Sequence, residues 1–187
     1  MCLAPMADVT DAAFRRVIAK YGKPDVMFTE FTSVGGLCSV GREKLLVDFW
    51  YTDAERPIVA QIFGSKPEQF YEAAQLIGEL GFDGIDINMG CPERNVEKQG
   101  SCAALIKNPE LAKKIIEETK RGAGALPVSV KTRLGYTTIS KEWIFDVLEA
   151  NPAALTIHGR TRKEMSKVPA HWDVIGEIVA LVHERYA

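Results

Sequence analysis

Cys91 stands in the run Asp86-Ile87-Asn88-Met89-Gly90-Cys91-Pro92, which presents a thiol at the carboxyl edge of a strand, where it could belong to a site. Gly90 permits a sharp bend after a strand that ends at Asn88, and Pro92 restricts Cys91 to extended backbone. The alternative is a buried small hydrophobe, the common state of a free cysteine. Val130-Lys131-Thr132-Arg133-Leu134-Gly135 carries two cations on alternate residues, and alternation along a strand sends both to one face. Converging buried cations need an anionic partner. A cofactor could supply it, and so could Asp86 or Glu30. In Ile157-His158-Gly159-Arg160-Thr161-Arg162 the cations suit phosphate groups, of a cofactor or of a nucleic-acid backbone. The competing readings are a core histidine at His158 and a solvated loop at Arg160 and Arg162. Gln61 and Glu30 end two other apolar runs and carry little alone. His171 and His183 lack a ligand-like spacing, so no metal is expected.

Strands alternating with helices must position these groups. Apolar runs at 3–6, 26–31, 57–63, 84–88, 127–133 and 153–158 predict strands. Helices are expected from Thr10, as N-cap, to about Tyr21, and after a capping-box pattern at Ser65-Lys66-Pro67-Glu68, with Phe70, Ala73, Ala74, Ile77 and Leu80 as its apolar face. Asn108-Pro109-Glu110 opens another, Ser140 caps one that carries Trp143, Ile144, Val147 and Leu148, and Ile175, Ile178, Val179 and Val182 mark the last. Residues 35–56 are the least regular part. This alternation predicts a parallel α/β sheet of about six units. A doubly wound sheet would favour a G-x-G-x-x-G turn after the first strand, but Ala4-Pro5-Met6-Ala7 stands there. Polar residues gather instead at the carboxyl ends of strands, the active face of a (β/α)8 barrel.

Composition narrows the classes. Of 187 residues 47% are hydrophobic and 26% charged, which suits a globular core and argues against wholesale disorder. The net charge of −2 is unlike a dedicated nucleic-acid domain, so RNA binding would need a local patch. No apolar run approaches the roughly 18 residues of a membrane span, and the N-terminus has no signal-peptide pattern. Cys2, Cys38, Cys91 and Cys102 form no C-x-x-C pair; free thiols in a cytoplasmic protein are the expectation.

Leu3-Ala4-Pro5-Met6 with Val9-Thr10-Asp11 and Phe14-Arg15, then Ala60-Gln61-Ile62-Phe63-Gly64, the Asp86–Pro92 run, the Val130–Gly135 run and His158–Arg162 together resemble the tRNA-dihydrouridine synthases. The resemblance covers essentially the whole chain. It implies a TIM barrel with FMN across its mouth, NADPH or NADH as reductant, and tRNA as substrate. Pro5, Met6, Gln61, Lys131 and His158 would contact the cofactor, and Asn88 would lie beside the uridine. Cys91 would protonate C5 as hydride reaches C6; with an ordinary pKa of about 8.5 it would be protonated at pH 7. Arg133, Arg160 and Arg162 would meet substrate or RNA, with Arg94, Lys98, Lys163 and Lys167 on phosphates.

The chain departs from the family in length, since a TIM barrel takes about 250 residues. Strands seven and eight, the family's Asn-Gly-Asp and Gly-Arg-Gly-like phosphate grip, and its helical tRNA-binding domain have no counterpart after His171. The expectation is therefore one FMN-binding barrel domain over residues 1–187, truncated after about six β/α units. Its first and sixth strands would be unpaired edges, and the chain alone would hold FMN weakly and turn over little tRNA. A dihydroorotate-dehydrogenase-like FMN barrel is one alternative. A catalytically inactive, RNA-binding remnant is the other.

Overall fold

A computed structural model describes residues 1–186. Five parallel strands form one sheet: β1 (Met27–Ser33), β2 (Ile58–Phe63), β3 (Gly84–Met89), β4 (Val128–Arg133) and β5 (Ala154–His158). They are hydrogen-bonded in sequence order, each beside the one before it. A doubly wound sheet reverses its strand order at a switch point; this one does not, so each crossover steps the same way around, as in a barrel wall.

The helices follow that progression. They are α1 (Ala12–Gly22), the short α2 (Val34–Leu37) and α3 (Arg42–Leu45), α4 (Pro67–Glu79), the one-turn α5 (Arg94–Glu97), α6 (Pro109–Ala123), α7 (Lys141–Glu149) and α8 (Trp172–Tyr186). Packing of α4 on α6 and of α6 on α7 makes the outer ring. One core joins them to the sheet, with Phe70, Ile77, Ile85, Ile87, Ile115 and Ile144 fully buried. β2 and β3 are buried along nearly their whole length, as expected of central strands covered on both faces. β1 and β5 are the sheet's edges among the described residues, and Ala154 and Thr156 on β5 are exposed.

Three local expectations are corrected. The segment 3–6 forms no strand: only Cys2 bridges to Val26. Pro5 has no N–H for a ladder, and Met6 turns away, its carbonyl accepting from the N–H groups of Val9 and Thr10. Asp11, not Thr10, caps α1, its Oδ1 accepting from the Phe14 N–H at 2.7 Å, while the Thr10 hydroxyl closes the preceding turn onto Met6. The 65–68 capping box does not form, because Lys66 takes the cap position and has no oxygen to offer. Asn108 and Ser140 cap α6 and α7 as expected.

Candidate active site at the carboxyl ends of the strands

Asn88, near the end of β3, holds the bend that presents Cys91. Its Oδ1 accepts from the N–H groups of Gly90 and Cys91, both at 3.0 Å. Its Nδ2 donates to Gln61 Oε1 on β2 at 3.1 Å, and Gln61 Nε2 donates to Asp86 Oδ2 at 2.6 Å. The Ser129 hydroxyl on β4 donates to Asp86 Oδ1 at 2.5 Å, which completes a buried polar layer across three strands. Burial pushes the Asp86 carboxyl up, opposed by the Gln61 and Ser129 hydrogen bonds and by Lys131.

Above this layer lies a cleft of about 290 Å³ lined by Pro5, Asn88, Cys91, Lys131, Arg133 and His158 among others. Lys131 and Arg133 do face one side, but their circumstances differ. Lys131 makes no hydrogen bond or ion pair among the described residues. Burial lowers its pKa, and Asp86 pulls the other way at longer range. Arg133 is 8% exposed and held by backbone carbonyls: Nε donates to that of Gly90 at 2.7 Å, and a terminal nitrogen donates to those of Thr161 and Met165. It thereby joins the Cys91 bend to the loop after β5. The same nitrogen lies 3.4 Å from His158 Nδ1. Burial, then Arg133, Lys131 and Arg160, lower the His158 pKa to about 4, so the imidazole is neutral at pH 7.

Cys91 is not the ordinary thiol expected above. The neighbouring Cys102 thiol, with the Glu93 backbone N–H and Arg133, outweighs burial and lowers its pKa to about 6. Burial and the neighbouring Cys91 push Cys102 up. The Cys91 carbonyl also accepts from the Ala103 N–H at 3.2 Å, which ties the two segments at the backbone. Nothing in the cysteine spacing announced this pairing, because it depends on how the chain folds back after α5.

Other expected site residues lie at varying remove. Gln61 is 0% exposed with its amide shared between Asp86 and Asn88, so it sits under the cleft rather than in its wall. Met6 is 41% exposed and lies between Pro5 and Ala7, which line the cleft, without lining it itself. Arg160 Nε donates to the Val168 carbonyl, shaping its own loop. Arg162 pairs with Glu97 on α5 and donates to the Pro92 carbonyl at 3.3 Å, so it braces the segment after Cys91. The other Glu97 oxygen is buried without a partner among the described residues. Arg94 and Lys98, and Lys163 and Lys167 across from them, are exposed on the two segments that this ion pair joins.

Comparison with known proteins shows the family. Residues 2–183 match the family model described as dihydrouridine synthase. A probable tRNA-dihydrouridine synthase of Staphylococcus aureus (strain COL) is 50% identical over 185 residues, covering 97% of this chain and 56% of the relative. Probable tRNA-dihydrouridine synthase 2 of Bacillus subtilis (strain 168) matches with the same identity and coverage. The chain therefore spans 56% of the length of these relatives. A solved structure, a variant of NCR from Zymomonas mobilis, superposes with a TM-score of 0.55 at 15% identity over 84% of this chain and 63% of its own. That likeness speaks to the fold alone, a TIM-type barrel wall. With the family model spanning nearly all of its residues, the chain belongs to the dihydrouridine synthase family.

Proposed function

We propose that this site serves the flavin-dependent reduction of uridine to 5,6-dihydrouridine in tRNA. The observation that carries the reading is the meeting of Cys91 and Lys131 in one cleft at the strand ends. Lys131 is a half-buried cation with no ion-pair partner among the described residues, so an electron-rich ring beside it would supply the missing charge. The residues present thus fit the ring end of a flavin. Held by Lys131, Pro5, Met6 and His158, FMN would supply the hydride for C6, with NADPH or NADH as the reductant.

The chain's own groups do the rest. Cys91 delivers a proton to C5 as general acid. With a pKa near 6 it is mostly thiolate at pH 7. An uncharged uracil ring covering the cleft would exclude water and disfavour that thiolate, which returns the proton to Cys91 before transfer. Asn88 fixes the Cys91 bend, and Gln61 holds Asn88. Arg133 ties Gly90 to the loop after β5, and Arg160 and Arg162 shape that loop. Neutral His158 can donate or accept one hydrogen bond at the cleft wall. The exposed Arg94, Lys98, Lys163 and Lys167 would meet the phosphates of a tRNA whose target base is turned out of its stack.

The test has two steps. FMN is titrated into the purified chain and followed by flavin fluorescence, with Lys131→Met expected to weaken binding. Unmodified tRNA transcript and NADPH are then added and dihydrouridine is measured by nucleoside mass spectrometry. Cys91→Ala should lower its formation by about 100-fold or more, the usual weight of a general acid. Flavin binding with reduction of dihydroorotate-like or enone substrates but not of tRNA would overturn the proposal, as would equal dihydrouridine formation by Cys91→Ala.

A further inference from the structure

The two thiols beneath the cleft mouth are placed unequally. Cys91 lines the cleft and is reachable from it, whereas Cys102 is 0% exposed. Cys102 opens the turn Cys102–Lys107 with φ of 54°, a left-handed conformation unusual for any residue but glycine. The Ala103 N–H donates to the Cys91 carbonyl at 3.2 Å, so the residue that follows Cys102 is tied to Cys91 at the backbone. The side chains are neighbours as well, each thiol being the largest influence on the other's titration.

We infer that Cys91 and Cys102 form a dithiol–disulfide couple, in which a hydroperoxide oxidises Cys91 and Cys102 resolves the product. The Cys91 thiolate attacks the peroxide O–O bond; an S–O bond forms, the O–O bond breaks, and alcohol or water leaves with a proton. Cys91 is then a sulfenic acid. The Cys102 sulfur attacks the Cys91 sulfur, the S–O bond breaks, and water leaves with the Cys102 proton. Two thiols have lost two electrons to the peroxide. A low-pKa thiol in a solvent-reachable cleft, beside a second thiol, is the arrangement that such chemistry requires.

The couple protects the reactive sulfur from over-oxidation, and a thiol reductant restores it. If Cys91 is the proton donor proposed above, the disulfide also withdraws that proton reversibly. This consequence rests on the functional proposal; the sulfur chemistry does not.

The remaining cysteines serve as internal references. Cys2 is exposed, and burial with Glu72 pushes Cys38 up to about 11, so Cys38 should react slowly. The reduced chain is treated with hydrogen peroxide, and free thiols are blocked. Peptides are then mapped by mass spectrometry with and without prior dithiothreitol. The expected product is a reducible Cys91–Cys102 linkage within one chain. In Cys102→Ser, dimedone-reactive sulfenic acid at Cys91 should rise by about tenfold or more, followed by irreversible sulfinic acid. Cys91→Ser should leave Cys102 unoxidised, which checks the inference should Cys102→Ser fold poorly. Sulfinic acid at Cys91 arising equally fast in the wild type and in Cys102→Ser would overturn it. So would a Cys91 linkage to Cys2 or to a second chain in place of Cys102. These readouts need neither flavin nor tRNA, so their failure is distinct from failure of the proposed activity.

Discussion

Gln61 and Asn88 meet side chain to side chain beneath the cleft, Asn88 Nδ2 donating to Gln61 Oε1 at 3.1 Å. One amide on β2 thus sets the orientation of another on β3, and the second sets the Cys91 bend through the Gly90 and Cys91 N–H groups. Asn88→Ala would remove the shared acceptor and leave Gln61 Oε1 without its donor. Buried groups left unpaired cost about 1–3 kcal/mol each, so the urea midpoint should fall clearly. Asn88→Asp should recover part of that loss, because its carboxylate still accepts both N–H groups. It should also raise the Cys91 thiol pKa, read from the pH profile of Cys91 alkylation, by placing negative charge beside the thiolate. An Asn88→Ala protein with an unchanged midpoint would refute this account of the bend.

A second buried arrangement lies away from the cleft. Arg15 on α1 donates from Nε to Glu55 Oε2 at 2.8 Å, with the side chains 1% and 0% exposed. Its terminal nitrogens donate to the Thr10 and Trp50 carbonyls, so one guanidinium gathers three segments. Glu55→Ala strands that cation, and breaking a buried pair from one side costs about 3–5 kcal/mol. Urea denaturation should show a loss of that order, or no cooperative transition. Arg15→Lys keeps the charge but cannot reach all three acceptors, and should fall between the two. A Glu55→Ala loss under about 1 kcal/mol, the weight of an exposed pair, would be the contrary result.

His158 provides the pH test. Its folded pKa of about 4 lies below the ordinary imidazole value near 6.5 because burial, Arg133 and Lys131 oppose its charge. Between those values the unfolded chain binds a proton that the folded chain does not. This residue therefore withdraws stability as pH falls from about 6.5 to about 4, and contributes nothing above that window. His158→Gln should lessen the fall in melting temperature over the same range. An imidazole NMR titration should show a midpoint near 4 in the wild type, rising towards the ordinary value in Arg133→Met. A wild-type midpoint above 6 would contradict the geometry.

The elements legible in the sequence were those whose burial is two-sided or periodic. β2 and β4 read as continuous apolar or β-branched runs, and Asn108 and Ser140 announced their helices through caps that need only local chemistry. The segment 3–6 looked equally strand-like. Its outcome depended on where Pro5 met the ladder, which no local pattern records. The site divides in the same way. Lys131 and Arg133 converge by strand alternation, and Cys91 follows from its motif. The partners of Gln61, Asp86 and Asn88, come from a neighbouring strand, so its burial and its shared amide carry no local signal. Cys102 and Glu97 carried no signal, since each matters only for what the return of the chain after α5 sets beside it.

Two helix glycines with opposite surroundings give the last prediction. Gly122 lies in α6 where that helix crosses α4, and a Cβ there would stand 2.3 Å from the Tyr71 carbonyl oxygen and 3.0 Å from its carbonyl carbon. Backbone cannot swing aside as the end of a side chain can, so Gly122→Ala must push the helices apart. Overpacking of this kind costs about 1–3 kcal/mol, more than the 0.5–1 kcal/mol or so that alanine gains within a helix. Gly176 lies inside α8 with nothing within 4 Å of its would-be Cβ. Gly176→Ala carries only the gain, through better helix propensity and a less disordered unfolded chain. Urea midpoints should therefore move down for Gly122→Ala and up for Gly176→Ala. The contrast separates the close approach of α4 and α6 from helix propensity, because propensity alone moves both midpoints upward. A rise for Gly122→Ala would mean that the two helices do not meet backbone to side as the structure places them.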